Sequence, residues 1–386
     1  MKIAHIQPYD HAVCGGVREH VINLARQHRA MGHDVTVIAA TSQDAGLVRF
    51  DDPDHSDVTL VGHGGIAAVA SARSIARIPL LPVVWWRVRR LVRDGEFDVV
   101  HIHEPLVPLV ALAATWHART VTVGTIHGYR PHYLPYRLLR RPLDRLMRRL
   151  SARVAVSVDA REWVGRYFPG DYHVIPDGVD VARFSDSGVL PVERFDDGRP
   201  HVLFVGRLEP RKGFPVLLDA WHLVQRAVPK ARLLVAGRFD EAERQRWTRE
   251  VARRQLDDVE LIGHVSEREL PRYYRTAQVF CAPSTGYEAL GIVLLEAMAA
   301  GAAVVTTDIE GYRTVVRDDV EAVVVPPADH VALAEGLISV LEDAGKRERL
   351  VAAARTRVEE YAWPRLAWRL VQLYESLGAG VSRAAR

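Results

Sequence analysis

The sequence predicts an α/β protein built from two doubly wound, Rossmann-like domains. Apolar runs of strand length alternate with segments of helix length, and the alternation begins again near the middle of the chain. Strands that follow one another at such intervals form parallel sheets covered by helices on both faces. A chain of 386 residues is also longer than one typical hydrophobic core, so two domains of similar size are expected.

Each strand-like run is expected to form one strand of its domain's sheet. In the first half the runs cover residues 3–7, 35–40, 58–61, 97–103, 120–126 and 154–158, with a helix-length segment at 17–31. The second half repeats the pattern at residues 201–206, 231–237, 259–265, 279–283, 303–307 and 322–326.

Turn-forming residues between 176 and 200 mark the expected join of the two halves. We therefore predict an N-terminal domain of residues 1–180 and a C-terminal domain of residues 181–363. A final helix is expected within residues 364–386, because apolar side chains recur there at helical spacing. They are Trp368, Leu370, Val371 and Tyr374.

The composition, 48% hydrophobic and 26% charged, is typical of a soluble globular protein. No secretion signal opens the sequence, and the longest apolar runs fall short of the ~20 residues that span a bilayer. The two cysteines, Cys14 and Cys281, belong to no metal-binding or redox motif. We expect a cytoplasmic protein without a nucleic-acid partner, and the sequence predicts no oligomeric state.

Two carboxylates stand eight positions apart, Glu288 and Glu296, just after a strand-like run. In one continuous helix they would lie ~12 Å apart and on different faces, so Glu288 is expected in a loop and Glu296 early in a helix. The free amides of that helix start suit a phosphate. They belong to Leu290, Gly291, Ile292 and Val293.

Carboxylates accept hydrogen bonds from hydroxyls, so Glu288 suits a sugar ring on one side of a diphosphate and Glu296 a ribose on the other. This arrangement would bind a nucleotide-diphosphate sugar. The alternative is a buried apolar stripe with an acidic residue near a helix start, which the helix dipole favours.

Glycines after the first strand offer a second candidate site. Gly15 and Gly16 open a helix that carries Arg18 and His20, so the backbone can approach an anion closely. The dinucleotide fingerprint Gly-x-Gly-x-x-Gly is absent from this loop, which weakens a dehydrogenase interpretation. A plain tight turn is the alternative.

Polar side chains also end two inner strands of the first half. His103 and Glu104 end one, and His127 ends the next. The carboxyl ends of parallel strands are where such sheets bind ligands, although any single histidine is more often structural.

In the second half, Arg207 and Lys212 flank a turn between a strand and a helix, so both cations can converge on one diphosphate. Arg211 is an additional cation in the same turn. Val265 follows another inner strand. Glu267 beside it suits the N–H donors of guanine, but a capping box at residues 266–269 is the favoured explanation.

The spacing Glu-x7-Glu followed by Ala-Met-Ala-x-Gly, together with Gly206-Arg207-Leu208-x3-Lys212-Gly213, resembles retaining glycosyltransferases of the GT-B fold. The resemblance implies two domains facing across a cleft and a last helix that crosses back to the N-terminal domain. It also implies transfer of a hexose from a nucleotide diphosphate to an acceptor hydroxyl, without a metal or other cofactor.

The resemblance also assigns roles. Arg207 and Lys212 would clamp the pyrophosphate, the loop at Val265 would hold the base, and His127 would lie near the transferred sugar. The glycine loop at residues 15–16 would cover the donor phosphates and approach the acceptor. The acceptor side would include Arg18, His20, His103 and Glu104.

One departure from the family pattern narrows the resemblance. The turn at 308–313 lacks the usual Gly-Gly-x-Pro-Glu, and this variant, with Glu104-Pro105 and the basic segment near Arg87, is similar to phosphatidylinositol mannosyltransferases. That similarity implies GDP-mannose as donor and a lipid acceptor. A UDP-sugar donor with a small soluble or polysaccharide acceptor, a nucleotide-sugar binding module without turnover, and a sugar-nucleotide epimerase are the alternatives.

Two segments of the first half combine arginine with aromatic or apolar side chains, a composition that suits anionic lipid headgroups. They are residues 80–93, with Trp85, Trp86, Arg87, Arg89, Arg90 and Arg93, and the arginine-rich residues 130–153. We expect peripheral binding at the inner face of the cell membrane, with an anionic lipid as partner. A solvated outer helix face is the alternative.

Overall fold

A computed structural model describes residues 1–380, except residue 14 and residues 43–57, 64, 72–73, 129–133, 287 and 289. The chain separates into two compact units. The N-terminal unit comprises Met1–Asp177 with Trp363–Arg386, and the C-terminal unit comprises Gly178–Ala362. The sequence placed the corresponding boundaries at residues 180 and 363, a few positions away.

The described residues of the N-terminal unit form nine strands. They are β1 (Lys2–Asp10), β2 (Asp34–Thr41), β3 (Val58–His63), β4 (Ile66–Ser71), β5 (Ser74–Pro79), β6 (Val99–His103), β7 (Val121–Ile126), β8 (Ala152–Ala155) and β9 (His173–Val174). Seven of them form a parallel sheet in the order β3-β2-β1-β6-β7-β8-β9, and β4 pairs with β5 in an antiparallel ribbon.

In the part of this unit that the structure describes there are seven α-helices. They are α1 (Gly16–Ala30), α2 (Pro82–Asp94), α3 (Val110–His117), α4 (Leu134–Leu138), α5 (Arg140–Met147), α6 (Val158–Gly165) and, from the end of the chain, α15 (Trp363–Ser376). One face of the sheet packs against α1 and α15, and the other against α2, α3, α5 and α6. The doubly wound sheet and the return of the last helix to the N-terminal unit are confirmed.

The C-terminal unit has a six-stranded parallel sheet. Its strands are β10 (His201–Val205), β11 (Arg232–Ala236), β12 (Val259–Gly263), β13 (Val279–Ala282), β14 (Ala303–Thr307) and β15 (Ala322–Val325). They lie in the order β12-β11-β10-β13-β14-β15. Apolar cores on both faces of this sheet explain why the strands are continuous apolar runs.

Its helices follow the strands in alternation. They are α7 (Val181–Ser185), α8 (Phe214–Ala227), α9 (Glu241–Arg253), α10 (Leu270–Thr276), α11 (Ile292–Ala300), α12 (Glu310–Arg313), α13 (His330–Glu342) and α14 (Ala344–Val358). Among the residues that the structure describes, none of the helices of either unit has the length and apolar character to cross a bilayer.

The ribbon of β4 and β5 is one of the elements that the sequence did not predict. Residues 66–71 are rich in alanine, which has a weak strand propensity, so the local pattern gives no strand signal. The ribbon instead depends on pairing, with Ile66 opposite Pro79 and Ser71 opposite Ser74.

Strand order reverses next to the first strand of each sheet, between β1 and β6 and between β10 and β13. Open α/β sheets bind ligands beside such reversals, at the carboxyl ends of the strands. The predicted site residues follow these strands, so each unit places its candidate residues at its own reversal point.

Candidate functional site

Two loops meet at the reversal point of the C-terminal unit, one after β10 and one after β13. The amide of Thr285 donates to the carbonyl of Arg211 at 2.8 Å. Gly213, which begins α8, has φ +74°, and a Cβ there would lie 1.7 Å from the carbonyl oxygen of Pro283. Only glycine permits this approach, so the two loops are held together by their backbones.

An alternating chain of charges runs along these loops. Glu288 Oε1 lies 2.6 Å from a guanidinium nitrogen of Arg211 and 2.7 Å from Nζ of Lys212. Glu209 links Arg211, at 2.8 Å, to Arg207, at 2.7 Å. The structure therefore brings two of the predicted site residues, Lys212 and Glu288, into contact, and the second cation on Glu288 is Arg211. Arg207, 48% exposed, reaches this cluster through Glu209.

The start of α11 lies beside this cluster. Gly291 has φ +84°, and a Cβ there would lie 2.4 Å from the ring of Tyr312, whose hydroxyl is 2.8 Å from Ser284 Oγ. The helix begins at Ile292, so the amides of Ile292 and Val293 fall in its first turn, where a helix offers no internal acceptor. This end of α11 can bind an anion.

The remaining residues of this loop agree with the expected placement. Glu288 precedes the helix, as the eight-residue spacing predicted, and Leu290 is buried in the core below it. Tyr287 and Ala289 lie outside the described residues. The chain departs from the family pattern at residues 308–313, and that segment supplies Tyr312, the residue packed against Gly291.

Glu296 lies in the second turn of α11 and is half-buried. Burial raises the pKa of its carboxyl to about 7. The hydroxyl of Tyr274 donates to Glu296 Oε2 at 2.7 Å and has the opposite, smaller effect on this pKa. A carboxyl group with this pKa can accept from a ribose hydroxyl when ionised. Its placement agrees with the prediction, whereas Tyr274 was not predicted.

The loop after β12, which is predicted to hold the base, contains Val265, and this residue is half-buried against the core. Glu267 beside it forms an ion pair with Arg183 at 3.0 Å. The capping box expected at residues 266–269 does not cap α10. Ser266 Oγ accepts from the amide of Glu269 at 3.3 Å, but this contact lies in a turn that precedes the helix.

In the N-terminal unit, the glycine loop leaves open space. No described atom lies within 4 Å of a Cβ built on Gly15 or Gly16, so packing inside the protein does not require glycine at either position. Arg18 pairs with Glu19 at 2.6 Å. The loop therefore has room for a ligand at the start of α1.

A row of buried histidines lies beneath this loop. His5 of β1 is 3.2 Å from His103 of β6 and 3.1 Å from His28 of α1, while His103 is 3.0 Å from His127, which follows β7. His101 binds the hydroxyls of Tyr374 and Thr125, both at 2.6 Å. Burial lowers the pKa of His5, His28, His101 and His103 and favours neutral rings.

Asp177 joins two of the predicted residues. Its Oδ1 lies 2.6 Å from Nδ1 of His20 and 3.3 Å from Nδ1 of His127. Burial alone would raise the pKa of Asp177, but the two histidines outweigh it and hold this pKa below its usual value. Sequence reasoning used Asp177 only as a turn residue, and no local pattern distinguishes it from one.

Glu104 has a positioning role in this structure. It is buried, and its Oε1 accepts from the amides of His127 and Gly128 at 2.7 and 2.6 Å. The carboxylate thereby fixes the backbone at the end of β7. Contact of His103 or Glu104 with an acceptor stays a prediction.

Two histidine triplets have nitrogen atoms within 4.8 Å of one another and could hold a metal ion. In the first, His5, His101 and His103, both nitrogens of His101 are occupied by hydroxyls. The second is His20, His103 and His127. Asp177 lies next to Nδ1 of His20 and of His127 and could orient these two rings toward an ion.

Comparison with known proteins identifies both halves. The family model described as Glycosyltransferase Family 4 matches residues 14–183, and Glycosyl transferases group 1 matches residues 190–357. A phosphatidyl-myo-inositol mannosyltransferase of Mycobacterium leprae (strain TN) is 36% identical over 388 residues, 99% of each chain. One of Mycobacterium tuberculosis (strain CDC 1551 / Oshkosh) is 37% identical over 390 residues, 98% of each chain.

Solved structures agree on the fold. Sucrose-phosphate synthase from Thermosynechococcus elongatus aligns with a TM-score of 0.78 at 23% identity, covering 98% of this chain and 99% of the other. Anabaena HepE in complex with UDP aligns with a TM-score of 0.77 at 20% identity, covering 97% and 100%. The chain therefore has the GT-B fold and belongs to the glycosyltransferase family of these phosphatidyl-myo-inositol mannosyltransferases.

Proposed function

We propose that this glycosyltransferase moves mannose from GDP-mannose to a hydroxyl of a lipid such as phosphatidylinositol, with retention of the α-configuration. The observation that carries the proposal is the contact of Lys212 and Arg211 with Glu288 beside the start of α11. Cations and helix amides suit a diphosphate, and a carboxylate suits sugar hydroxyls. The relatives named phosphatidyl-myo-inositol mannosyltransferase support the choice of mannose and lipid.

In this mechanism the incoming diphosphate takes Lys212 and Arg211 from Glu288, and Arg207 turns from Glu209 to the same phosphates. Glu288 is then free to accept from the sugar. The bond from the anomeric carbon to the diphosphate breaks, and the acceptor hydroxyl attacks from the same face and passes its proton to the departing diphosphate oxygen. Stabilisation of the departing diphosphate by preorganised charge is the largest contribution. We propose no metal for this step.

Guanine is the proposed base. The carboxylate of Glu267 follows β12 and is exposed, so it can accept from the two N–H donors of guanine once its contact with Arg183 opens. Glu296 would hold the ribose from α11. Uracil offers a single N–H donor and would gain less from the same carboxylate.

The lipid acceptor is supported by the outer face of α2. Val84, Val88 and Val92 are buried, which turns the opposite side of the helix outward. Trp86 there is 60% exposed. This outer face also carries exposed apolar and cationic side chains from α2 and the residues before it, namely Leu80, Leu81, Val83, Arg87, Arg90 and Arg93.

The arginine-rich segment extends this surface. On α4 and α5 the exposed apolar residues are Leu134, Leu138 and Leu139, among exposed arginines; Arg130 and Tyr133 of this segment lie outside the described residues. The two surfaces meet at His117. Burial is the main cause that lowers the pKa of this ring, and four nearby arginines lower it further, namely Arg93, Arg89, Arg149 and Arg119. Such a surface suits anionic headgroups at the cytoplasmic face of a membrane.

The proposal is tested first with GDP, UDP and ADP in a thermal-shift panel. A ligand at one hundred times its dissociation constant adds about 2.7 kcal/mol to stability, so GDP should raise the melting temperature most. The protein is then incubated with radiolabelled GDP-mannose and vesicles containing phosphatidylinositol, and an α-mannosyl lipid is expected. A larger shift with UDP, or label released only as free mannose, would contradict the proposal.

Matched lysines provide the control. Lys212→Ala should lower transfer by roughly a hundredfold or more, as removal of one preorganised charge-stabilising group does. Lys230→Ala removes an exposed lysine of the same unit and should leave transfer unchanged. Equal loss of transfer in both variants would mean that removing any lysine of this unit has the same effect, and it would contradict the proposed clamp.

A further inference from the structure

Four histidines connect Asp177 with the interior of the N-terminal unit. We name Asp177, His127, His103, His5 and His28, in that order, the histidine relay. Successive groups lie 3.3, 3.0, 3.2 and 3.1 Å apart. Each of His127, His103 and His5 uses both ring nitrogens, and all four rings are buried.

The contacts alternate strictly between the two nitrogens of each ring. Nδ1 of His127 faces Asp177 and its Nε2 faces Nδ1 of His103; Nε2 of His103 faces Nδ1 of His5, and Nε2 of His5 faces Nδ1 of His28. A neutral imidazole has one N–H donor and one acceptor. The tautomer of one ring therefore determines the tautomer of the next.

An ionised carboxylate has no proton to donate, and its negative charge 3.3 Å from Nδ1 of His127 favours a proton on that nitrogen over a lone pair. The Nε2 of His127 must then accept from Nδ1 of His103, and the same step repeats at His5 and His28. All four rings consequently carry their proton on Nδ1. This tautomer is the rarer one, because free histidine in water prefers the proton on Nε2.

We propose that Asp177 is a positioning residue that fixes the proton of His127 on Nδ1 and, through the histidine relay, the tautomers of His103, His5 and His28. This role rests on the proposed function, together with the family resemblance, which implies that His127 lies near the transferred sugar. Nε2 of His127 accepts from His103 and its Nδ1 faces Asp177, so both ring nitrogens are engaged and the orientation of the ring is fixed. His20, whose Nδ1 is 2.6 Å from the same carboxylate oxygen, is fixed in the same way.

A metal ion would require the opposite arrangement. If His20, His103 and His127 coordinated one ion, Nδ1 of His103 would be a ligand and its proton would move to Nε2. His103 therefore distinguishes the histidine relay from a metal site by its tautomer alone.

The experiment is nitrogen-15 NMR of the full-length protein with labelled histidine. Long-range correlations between ring protons and ring nitrogens assign each tautomer, and single substitutions assign each signal to its residue. The expected result is a proton on Nδ1 of His127, His103, His5 and His28 in the unsubstituted protein. A proton on Nε2 of His103 or His5, or the nitrogen shifts of a metal-bound ring, would overturn the proposal.

Substitutions at the two ends of the histidine relay test which end determines the tautomers of the rings. Asp177→Asn can present an N–H group to His127, so the protons of His127 and His103 should leave Nδ1. His28→Asn keeps a donor toward His5 and should leave His127 unchanged. Retention of the Nδ1 proton on His127 in Asp177→Asn would exclude Asp177 as its cause.

Activity gives a separate readout. Asp177→Asn should lower kcat at least tenfold while the KM for the nucleotide donor stays unchanged. If the predicted tautomers are found in a protein without transferase activity, the proposed function fails and the histidine relay stands. If transfer proceeds but His103 carries its proton on Nε2, the histidine relay fails. Should Asp177→Asn not fold, the tautomers of the unsubstituted protein decide.

Discussion

At the scale of single residues, the two carboxylates of the C-terminal unit occupy different environments. Glu288 touches two cations, Arg211 and Lys212, and sits in a loop. Glu296 lies on α11, half-buried, with the hydroxyl of Tyr274 as its partner. Glu288 is therefore paired with positive charge, whereas burial opposes ionisation of Glu296 and raises its pKa.

This difference predicts opposite effects of two conservative substitutions. Glu288→Gln should reduce sugar transfer and leave GDP affinity unchanged, because its proposed partner is the sugar. Glu296→Gln should weaken GDP binding, because its proposed partner is the ribose. Calorimetric titration with GDP and steady-state transfer rates measure the two effects, and identical binding profiles would contradict the assignment of Glu288 to one end of the ligand and Glu296 to the other.

The raised pKa of Glu296 also predicts how stability depends on pH. Because the pKa rises from 4.5 in the unfolded chain to about 7 in the folded protein, the folded state binds more protons between these values. The contribution of Glu296 to stability is fully present below about pH 4.5 and is lost as pH rises through about 7. The loss is at most about 3 kcal/mol.

Urea unfolding at several pH values between 5 and 8 measures this contribution. The unsubstituted protein should lose stability relative to Glu296→Gln as pH rises, since glutamine has no proton to release. Parallel stability curves for the two proteins would show that Glu296 does not titrate in this range.

At the scale of elements, the start of α11 depends on the neighbouring segment. Tyr312, from α12, lies against Gly291 and hydrogen-bonds to Ser284 in the loop after β13. The left-handed backbone at Gly291 lets the chain turn from that loop into the helix. The anion-binding end of α11 is therefore positioned by α12, an element that the sequence pattern did not identify.

Gly291→Ala is expected to destabilise the protein by about 2 kcal/mol or more, since its Cβ meets Tyr312 and its backbone is left-handed. GDP binding should weaken with it, because the helix start moves. Gly165→Ala is the matched control, as it ends α6 with no described atom within 4 Å of the new Cβ. Chemical denaturation compares the variants, and equal stability would contradict the role of Gly291.

At the scale of the whole molecule, the proposed membrane surface belongs to one unit only. The exposed apolar and basic residues of α2, α4 and α5 lie in the N-terminal unit. The chain as a whole has a formal charge of only +3. Attraction to an anionic membrane therefore depends on where the arginines lie, and the net charge alone would not predict it.

Co-sedimentation with vesicles tests this surface. Binding to anionic vesicles is expected at low salt and should fall as salt screens the charges. Replacement of Arg87, Arg90 and Arg93 by serine should reduce it strongly, since each basic residue near the surface contributes about 1 kcal/mol. Absence of binding at low salt would favour a soluble acceptor.

A triple variant of the other unit controls for lost charge. Arg246, Arg249 and Arg253 are exposed on α9, and their replacement by serine removes the same number of charges. This variant should bind anionic vesicles as well as the unsubstituted protein does. Equal loss in both triple variants would mean that net charge, and not the α2 surface, controls binding.

Much of the fold followed from local sequence. The strands at β10, β13 and β14 were predicted within one residue at each end, because buried parallel strands are continuous apolar runs. The placement of Glu288 in a loop and Glu296 on a helix also followed from their spacing. The β4 and β5 ribbon did not, since its residues form a strand only through pairing.

Apolar periodicity and turn chemistry are local properties of the chain, so the sequence alone predicts two parallel α/β domains, their approximate boundaries and the types of residue around each reversal point. Which side chains meet depends on how the strands are arranged in the folded protein. Arg211 reaches Glu288 because β10 and β13 are neighbours, and the histidine relay forms because β1, β6 and α1 converge with Asp177. Strand order sets these contacts, and no pattern along the chain encodes strand order.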